Sequence, residues 1–281
     1  MSRKKFLLST AGVILTGWLL WGNSALETTE YSVSSCRMPE GFEGFRIAQI
    51  SDLHNASLGN GNEKLLAALK EAKPDIIVLT GDLIDCRKLK MDVAVRFAEQ
   101  AAKIAPCYYV PGNHEARIEE LPKLLKGLTE AGVTVLRNEK CMLYRGGDIL
   151  TLMGIDDPSF VADYMTGDNE PVIRAALQAL TEETDGYRIL LSHRPEWFSV
   201  YRDFDIDLTF SGHAHGGQFR FPFVGGLIAP NQGFFPEYDA GVFTDGECSM
   251  VVSRGLGASI IPLRIGNRPE LVVAELHRQE A

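Results

Sequence analysis

The stretch Ile206-Asp-Leu-Thr-Phe-Ser211-Gly-His-Ala-His-Gly-Gly-Gln218 runs from an apolar segment straight into two histidines flanked by glycines. The apolar part reads as a buried strand, and the glycines allow a sharp turn at its end. From such a turn His213 and His215 can point at neighbouring positions, as two adjacent metal ions require. A His-x-His pair is common in short loops, so its meaning depends on what the rest of the chain brings to it.

Working outward, the same pattern recurs upstream. Phe45 to Ile50 ends in Ser51-Asp52-Leu53-His54, Asp75 to Thr80 in Gly81-Asp82, and Cys107 to Val110 in Pro111-Gly112-Asn113-His114-Glu115. Ile149 to Met153 and Arg188 to Leu191 end in Gly154-Ile155-Asp156-Asp157 and Ser192-His193-Arg194-Pro195. Between these runs, Asn62–Ala72, Met91–Ile104, Leu121–Ala131 and Val172–Glu183 carry helical spacing of apolar residues. Strands apolar throughout, alternating with helices, predict an α/β fold with a parallel sheet covered on both faces. In such sheets the functional loops lie at the carboxyl ends of the strands. After Gln218 the texture changes to Gly, Pro and aromatic residues through Tyr238. Met250–Val252 and Leu271–Ala274 are read with that end as a second, mainly antiparallel sheet.

The chain has 281 residues, 45% hydrophobic and 23% charged, enough for one large domain with a substantial core. Its net charge is −9, from 28 Lys and Arg against 37 Asp and Glu, and no basic block follows the first five residues. That argues against a nucleic-acid partner, and nothing in the sequence indicates a protein partner. The five cysteines are scattered, without zinc-binding spacing, and read as small buried hydrophobes.

At the N-terminus, Arg3-Lys4-Lys5 precedes an uncharged run from Phe6 to Gly22. As a helix that run spans about 25 Å, with Trp18 and Trp21 at the interface. Residues 1–25 are therefore read as a membrane anchor, with the basic end in the cytoplasm and the rest outside the cell membrane. The rival readings are a signal peptide cleaved near Gly22-Asn23-Ser24, giving a secreted protein, and a buried soluble helix. Ser2 to Leu7 is similar to a twin-arginine export signal but has Lys4 where the second arginine belongs. Residues 26–42 read as a flexible polar linker and 43–281 as the catalytic domain.

Five polar clusters thus follow five apolar strands: Asp52 and His54, Asp82, Asn113 and His114, His193, and His213 and His215. Singly, each has an ordinary explanation as a turn or a helix cap. Jointly they do not, because packing asks for no such residues at successive strand ends. Oxygen and nitrogen ligands without thiolate suit Mn, Fe, Co or Zn ions. Asp52, His54, Asp82, Asn113, His193, His213 and His215 are too many for one ion but fit two that share a carboxylate. Two divalent ions against two aspartates leave a site of about +2, which attracts phosphate and favours ionisation of bound water.

These blocks resemble the five-part signature of calcineurin-like metallophosphoesterases, in order and complete from about Ile47 to Gln218. Ser192–Glu196, Ala229-Pro230-Asn231-Gln232, Ser253–Gly257 and Pro262-Leu263-Arg264 with Pro269-Glu270 resemble the small bacterial YkuE/YaeI-like branch. The resemblance implies a four-layer αββα sandwich of two mixed β-sheets flanked by helices. It implies two divalent metal ions, the first held by Asp52, His54 and His215, the second by Asn113, His193 and His213, with Asp82 bridging. His114 would then assist the leaving oxygen, and Glu115 would orient that imidazole or a metal ligand. Arg194 and Arg117 are candidate phosphate contacts. The implied activity is hydrolysis of a phosphate ester or pyrophosphate by a bridging hydroxide. The aromatics from Phe219 to Phe235 either wall the site, favouring a lipid-linked substrate such as UDP-2,3-diacylglucosamine, or pack the second sheet. The alternative from another class is a non-catalytic scaffold of the same fold that binds a protein partner.

Overall fold

The computed structural model describes residues 21–161, 169–258 and 263–279. Strand β1 is Glu27–Ser35, β2 Phe45–Ile50, β3 Ile76–Thr80, β4 Cys107–Val110 and β5 Val133–Val135. Next come β6 (Glu139–Arg145), β7 (Asp148–Gly154), β8 (Arg188–Leu191) and β9 (Leu208–Ser211). The chain closes with β10 (Gly241–Asp245), β11 (Cys248–Val252) and β12 (Glu270–Arg278). The helices are α1 (Glu63–Ala72), α2 (Met91–Ala101), α3 (Leu121–Glu130), α4 (Glu170–Thr181) and α5 (Phe198–Asp203).

One six-stranded sheet has the order β1-β12-β2-β3-β4-β5, the other β10-β11-β9-β8-β7-β6. Both are mixed. Strands β2 to β5 are parallel and β12 runs antiparallel to β2; β7, β8, β9 and β11 are parallel, with β6 and β10 antiparallel at the edges.

Residues alternate along each strand between two environments, as a pleated sheet buried on both faces requires. Ile47, Val78, Leu152, Ile189, Phe210 and Val272 fill the layer between the sheets. Ala48, Ile77, Leu79 and Val273 face outward onto Leu65 and Leu69 of α1, Phe97 of α2 and Leu124 of α3. On the far side Met153, Leu190 and Met250 meet Ile173 and Leu177 of α4 and Tyr201 of α5. Three apolar layers between four structural ones give the expected αββα sandwich.

Two expectations need correction. The segment read as a flexible linker contains β1, which pairs with β12 in parallel from Glu27 to Ser35. Its sequence, Glu-Thr-Thr-Glu-Tyr-Ser-Val-Ser-Ser, is too polar to announce a strand, because an edge strand keeps one face in water; only Val33 and Ser35 are buried. The C-terminal strands also form no separate sheet. β11 lies parallel to β9 in the second sheet, and β12 inserts between β1 and β2 in the first. Among the described residues no helix is long and apolar enough to cross a membrane. Nearly all of the run read as an anchor, Phe6 to Gly22, lies outside the described residues; only Trp21 and Gly22 fall within them.

Candidate metal centre

The predicted ligands all sit just beyond strand ends. Asp52 and His54 follow β2, Asp82 follows β3 and Asn113 follows β4; His193 follows β8, and His213 and His215 follow β9. The two sheets therefore contribute from both sides, and all seven side chains are buried. Asp52, His54 and His215 form one group. His54 Nε2 lies 3.2 Å from His215 Nε2, and Asp52 Oδ1 is 3.4 Å from His215 Nε2 and 3.8 Å from His54 Nε2. His193 and His213 form a second group, with Nε2 and Nδ1 3.2 Å apart. Asp82 stands between the groups: its Oδ2 is 3.5 Å from His54 Nε2 and 3.3 Å from His193 Nε2.

Donor atoms held about 2.0–2.2 Å from one divalent ion sit roughly 3–3.6 Å from each other. The separations to His215 in the first group and between the histidines of the second match that spacing, and Asp52 to His54 is slightly longer. The Asn113 amide oxygen is buried without a hydrogen-bond partner, a costly state that a cation relieves. The residues present therefore fit a metal centre.

Local backbone geometry is adapted to this crowding. Asp52, His54, Asp82, His213 and His215 all have left-handed φ values, from 44° to 64°. Such strain, sparsely tolerated outside glycine, collects at functional sites. Gly212 lets two loops touch: a Cβ there would lie 1.8 Å from Ser51 Oγ and 2.5 Å from Asp52 Oδ2. Gly112 plays the same part beside Asp82, whose Oδ1 would be 2.3 Å from an added Cβ.

Around the ligands lies a shell of buried hydrogen bonds. Ser51 Oγ donates to Asp52 Oδ2 at 2.7 Å, and His193 Nδ1 pairs with the Thr80 carbonyl at 2.8 Å. Of the two roles expected for Glu115, the contacts fit the positioning of a candidate ligand, Asp82, rather than of the His114 imidazole. The Glu115 carboxylate accepts the backbone N–H groups of Asp82, Gly112 and Ile84 at 2.9, 2.8 and 3.2 Å. His114 faces the same space, its ring 4.5 Å from that of His54. The Cys86 N–H donates to His114 Nδ1 at 3.1 Å, so the neutral ring carries its proton on Nε2.

Arg194 is not open to a phosphate. It is buried in a bidentate pair with Asp157 at 2.6 and 2.9 Å, and also bonds Ser159 and Asn231. Arg117 lies beside Cys86. Asn231 was not singled out in the sequence, yet its Oδ1 is 3.0 Å from His213 Nε2. Asn267, also missed, bonds the His215 carbonyl at 2.7 Å. The Ala229-Pro230-Asn231-Gln232 stretch was the available signal for the first; nothing local marked the second.

Residues 45–217 match the family described as Calcineurin-like phosphoesterase. The chain is a member of that family. It is 31% identical to the uncharacterized metallophosphoesterase YkuE of Bacillus subtilis, over 98% of both chains. It is 29% identical to the phosphodiesterase YaeI of Escherichia coli, over 98% of this chain and 99% of that one. Among solved structures, TT1561 of Thermus thermophilus superposes with a TM-score of 0.53 and 16% identity. That match covers 75% of this chain and 89% of the other, a likeness of fold alone.

This phosphoesterase is thus a metal-dependent hydrolase of phosphoric esters, and its electrostatics suit cation binding. Burial holds His54 down to about 3, and holds His213 and His215 well below the ordinary imidazole value. They stand neutral, the form in which imidazole can coordinate a cation. Burial alone would also lower His193, but the Asp82 carboxylate overrides it and pushes the pKa up to about 10. Without metal, His193 and Asp82 form a buried ion pair. Burial and then the Asp82 charge push Glu115 up to about 8, against the pull of its backbone donors.

The aromatic segment after the histidine loop does not pack the second sheet as one reading expected. Phe221, Phe223, Val224, Phe234 and Phe235 are exposed, while Ala229 is buried and Tyr238 packs between Phe198 and Phe243 at the outer face of that sheet.

Proposed function

We propose that Asp52, His54 and His215 hold one divalent ion, that Asn113, His193 and His213 hold a second, and that Asp82 is shared. The observation that carries this is the position of Asp82 Oδ2 between His54 and His193. Ions of the Mn, Fe, Co or Zn type, when bound, supply a nucleophilic hydroxide near neutral pH and neutralise the phosphoryl oxygens.

The protein's own groups do the rest. His114 donates from Nε2 to the leaving oxygen, its Nδ1 pinned by the Cys86 N–H, so that the ring cannot turn. Burial lowers the pKa of His114 against the pull of Asp82 and Asp85, so the ring rests neutral and offers its Nε2–H to the leaving oxygen as negative charge develops there. Glu115 acts by position: it holds the Gly81-Asp82 and Gly112-Asn113 backbones in register. Asn231 and Thr80 fix the orientations of His213 and His193.

The substrate class we propose is a phosphodiester or pyrophosphate with an apolar substituent. Its support is the run of exposed aromatics that begins at Phe221, six residues after His215, and the name of the relative YaeI, a phosphodiesterase. With residues 6–22 as anchor, the domain works outside the cell membrane on a lipid-linked phosphate. A panel with added Mn²⁺ tests this, set out over monoesters, aryl diesters, UDP-2,3-diacylglucosamine and its deacylated form. The proposal expects diester or pyrophosphate cleavage, with the acylated compound preferred. Turnover confined to water-soluble monoesters would refute it.

A further inference from the structure

We infer that the aromatic hairpins after the metal-binding loop form a surface that dips into the interfacial region of a phospholipid bilayer. Residues 221–236 contain no charged side chain, in a protein of which 23% is charged. Yet its aromatic side chains are not core: Phe221, Phe223, Phe234 and Phe235 all stand in solvent, with Val224 beside them. Contiguous exposed apolar surface of this kind marks a partner or a membrane.

The five side chains belong to one platform. Arg220-Phe221 pairs with Gly225-Gly226, and Ile228-Ala229 pairs with Gly233-Phe234. Leu227 ties the two hairpins together, donating to Phe219 O at 2.8 Å and accepting from Phe235 N at 2.9 Å. Phe223 and Phe235 are in left-handed backbone conformations, with φ of 67° and 56°, which bulky residues avoid. The fold holds these rings outward at a conformational cost.

What selects a bilayer over another protein is where the N-terminal run ends. Asn23 exchanges two hydrogen bonds with the Arg264 backbone, at 2.9 and 2.7 Å, and the Arg268 guanidinium stacks 4.8 Å from the Trp21 ring. The same short segment receives the aromatic hairpin: Arg220 N donates to Ile265 O at 2.9 Å, and Phe219 bridges to Ile265. Asn267, between them, bonds the His215 carbonyl. One five-residue segment, Arg264 to Arg268, therefore joins the exit of the uncharged run, the aromatic hairpins and the metal-binding loop. Aromatic rings and an exposed Trp suit the headgroup level, where amphipathic and aromatic side chains concentrate. The active-site mouth would then open along the membrane surface.

The inference rests on reading residues 6–22 as an anchor, and not on the substrate. To test it, the full chain is reconstituted in phosphatidylcholine vesicles containing a minor share of phosphatidylglycerol and acyl chains brominated near the headgroup. Phe223→Trp and Phe234→Trp are compared with the parent, with Tyr144→Trp on β6 as an exposed control. The emission added at 223 and 234 should be blue-shifted and quenched by the bromines, and that added at 144 neither. Solvent-like, unquenched emission at 223 and 234 in chains that float with the vesicles would overturn the docking surface. Chains that do not float would overturn it through the anchor. A dimer that Phe223→Ser dissociates would assign the patch to a second copy instead. None of these readouts involves metal or hydrolysis, so they fail independently of the proposed activity.

Discussion

Asp82 and His193 meet where the two sheets converge, Oδ2 of one 3.3 Å from Nε2 of the other. Asp82 is delivered by β3 of the first sheet and His193 by β8 of the second. The same oxygen also faces His54. A single carboxylate therefore faces both donor groups, and the register between the two sheets sets the geometry of each group, since both draw side chains from both sheets.

Removing that shared charge should do more harm than removing a ligand of either group alone. Asp82→Asn is expected to lose several kcal/mol of transition-state stabilisation, about 10³-fold in kcat. His54→Ala and His215→Ala should lose less. Near-normal turnover by Asp82→Asn with full metal content would contradict the shared role.

Metal uptake should release a proton. In the metal-free protein the His193 pKa stands at about 10, so the ring is charged at pH 7 and must deprotonate to coordinate. Affinity should rise with pH, by about tenfold per unit for each proton displaced, and level off as pH passes the His193 pKa. Calorimetric titration with Mn²⁺ in two buffers of different ionisation enthalpy counts the protons. Identical heats in both would show that none is released.

His114→Gln should separate chemistry from metal binding. As a general acid His114 contributes roughly 10²–10⁴ in rate, most of it on substrates with poor leaving groups. Nitrophenyl esters, whose leaving group needs little protonation, should be far less affected, and metal content should be unchanged. Equal loss on both kinds of ester would indicate stabilisation of the phosphoryl oxygens instead. Loss of metal would make His114 a ligand.

Glu115→Ala strips acceptors from three buried N–H groups. Unsatisfied buried donors cost about 1–3 kcal/mol each, so destabilisation of at least ~3 kcal/mol is expected in urea unfolding with chelator present. A change below ~1 kcal/mol would mean that the Gly81-Asp82 loop does not depend on Glu115.

The sequence made the strand-loop pattern legible because strands buried on both faces are apolar throughout, and ligands at their ends have no other reason to be there. What it hid depends on neighbours remote along the chain. Arg194 looks like a phosphate ligand until Asp157, 37 residues earlier, takes its Nε and Nη2, and Asn231 takes its Nη1. Glu115 looks like part of the chemistry until its carboxylate is found on three backbone donors. β1 carries the polar pattern of an edge strand, indistinguishable from a linker until β12 supplies its partner. The insertion of β12 between β1 and β2 follows from long-range pairing that no local signal encodes.

Metal stoichiometry tests the paired site most directly. Protein stripped with chelator and titrated with Mn²⁺ should bind two equivalents, with hydrolysis of an aryl phosphodiester rising as the second is bound. A plateau at one equivalent with full activity would contradict the paired site, and so would full activity in the stripped protein.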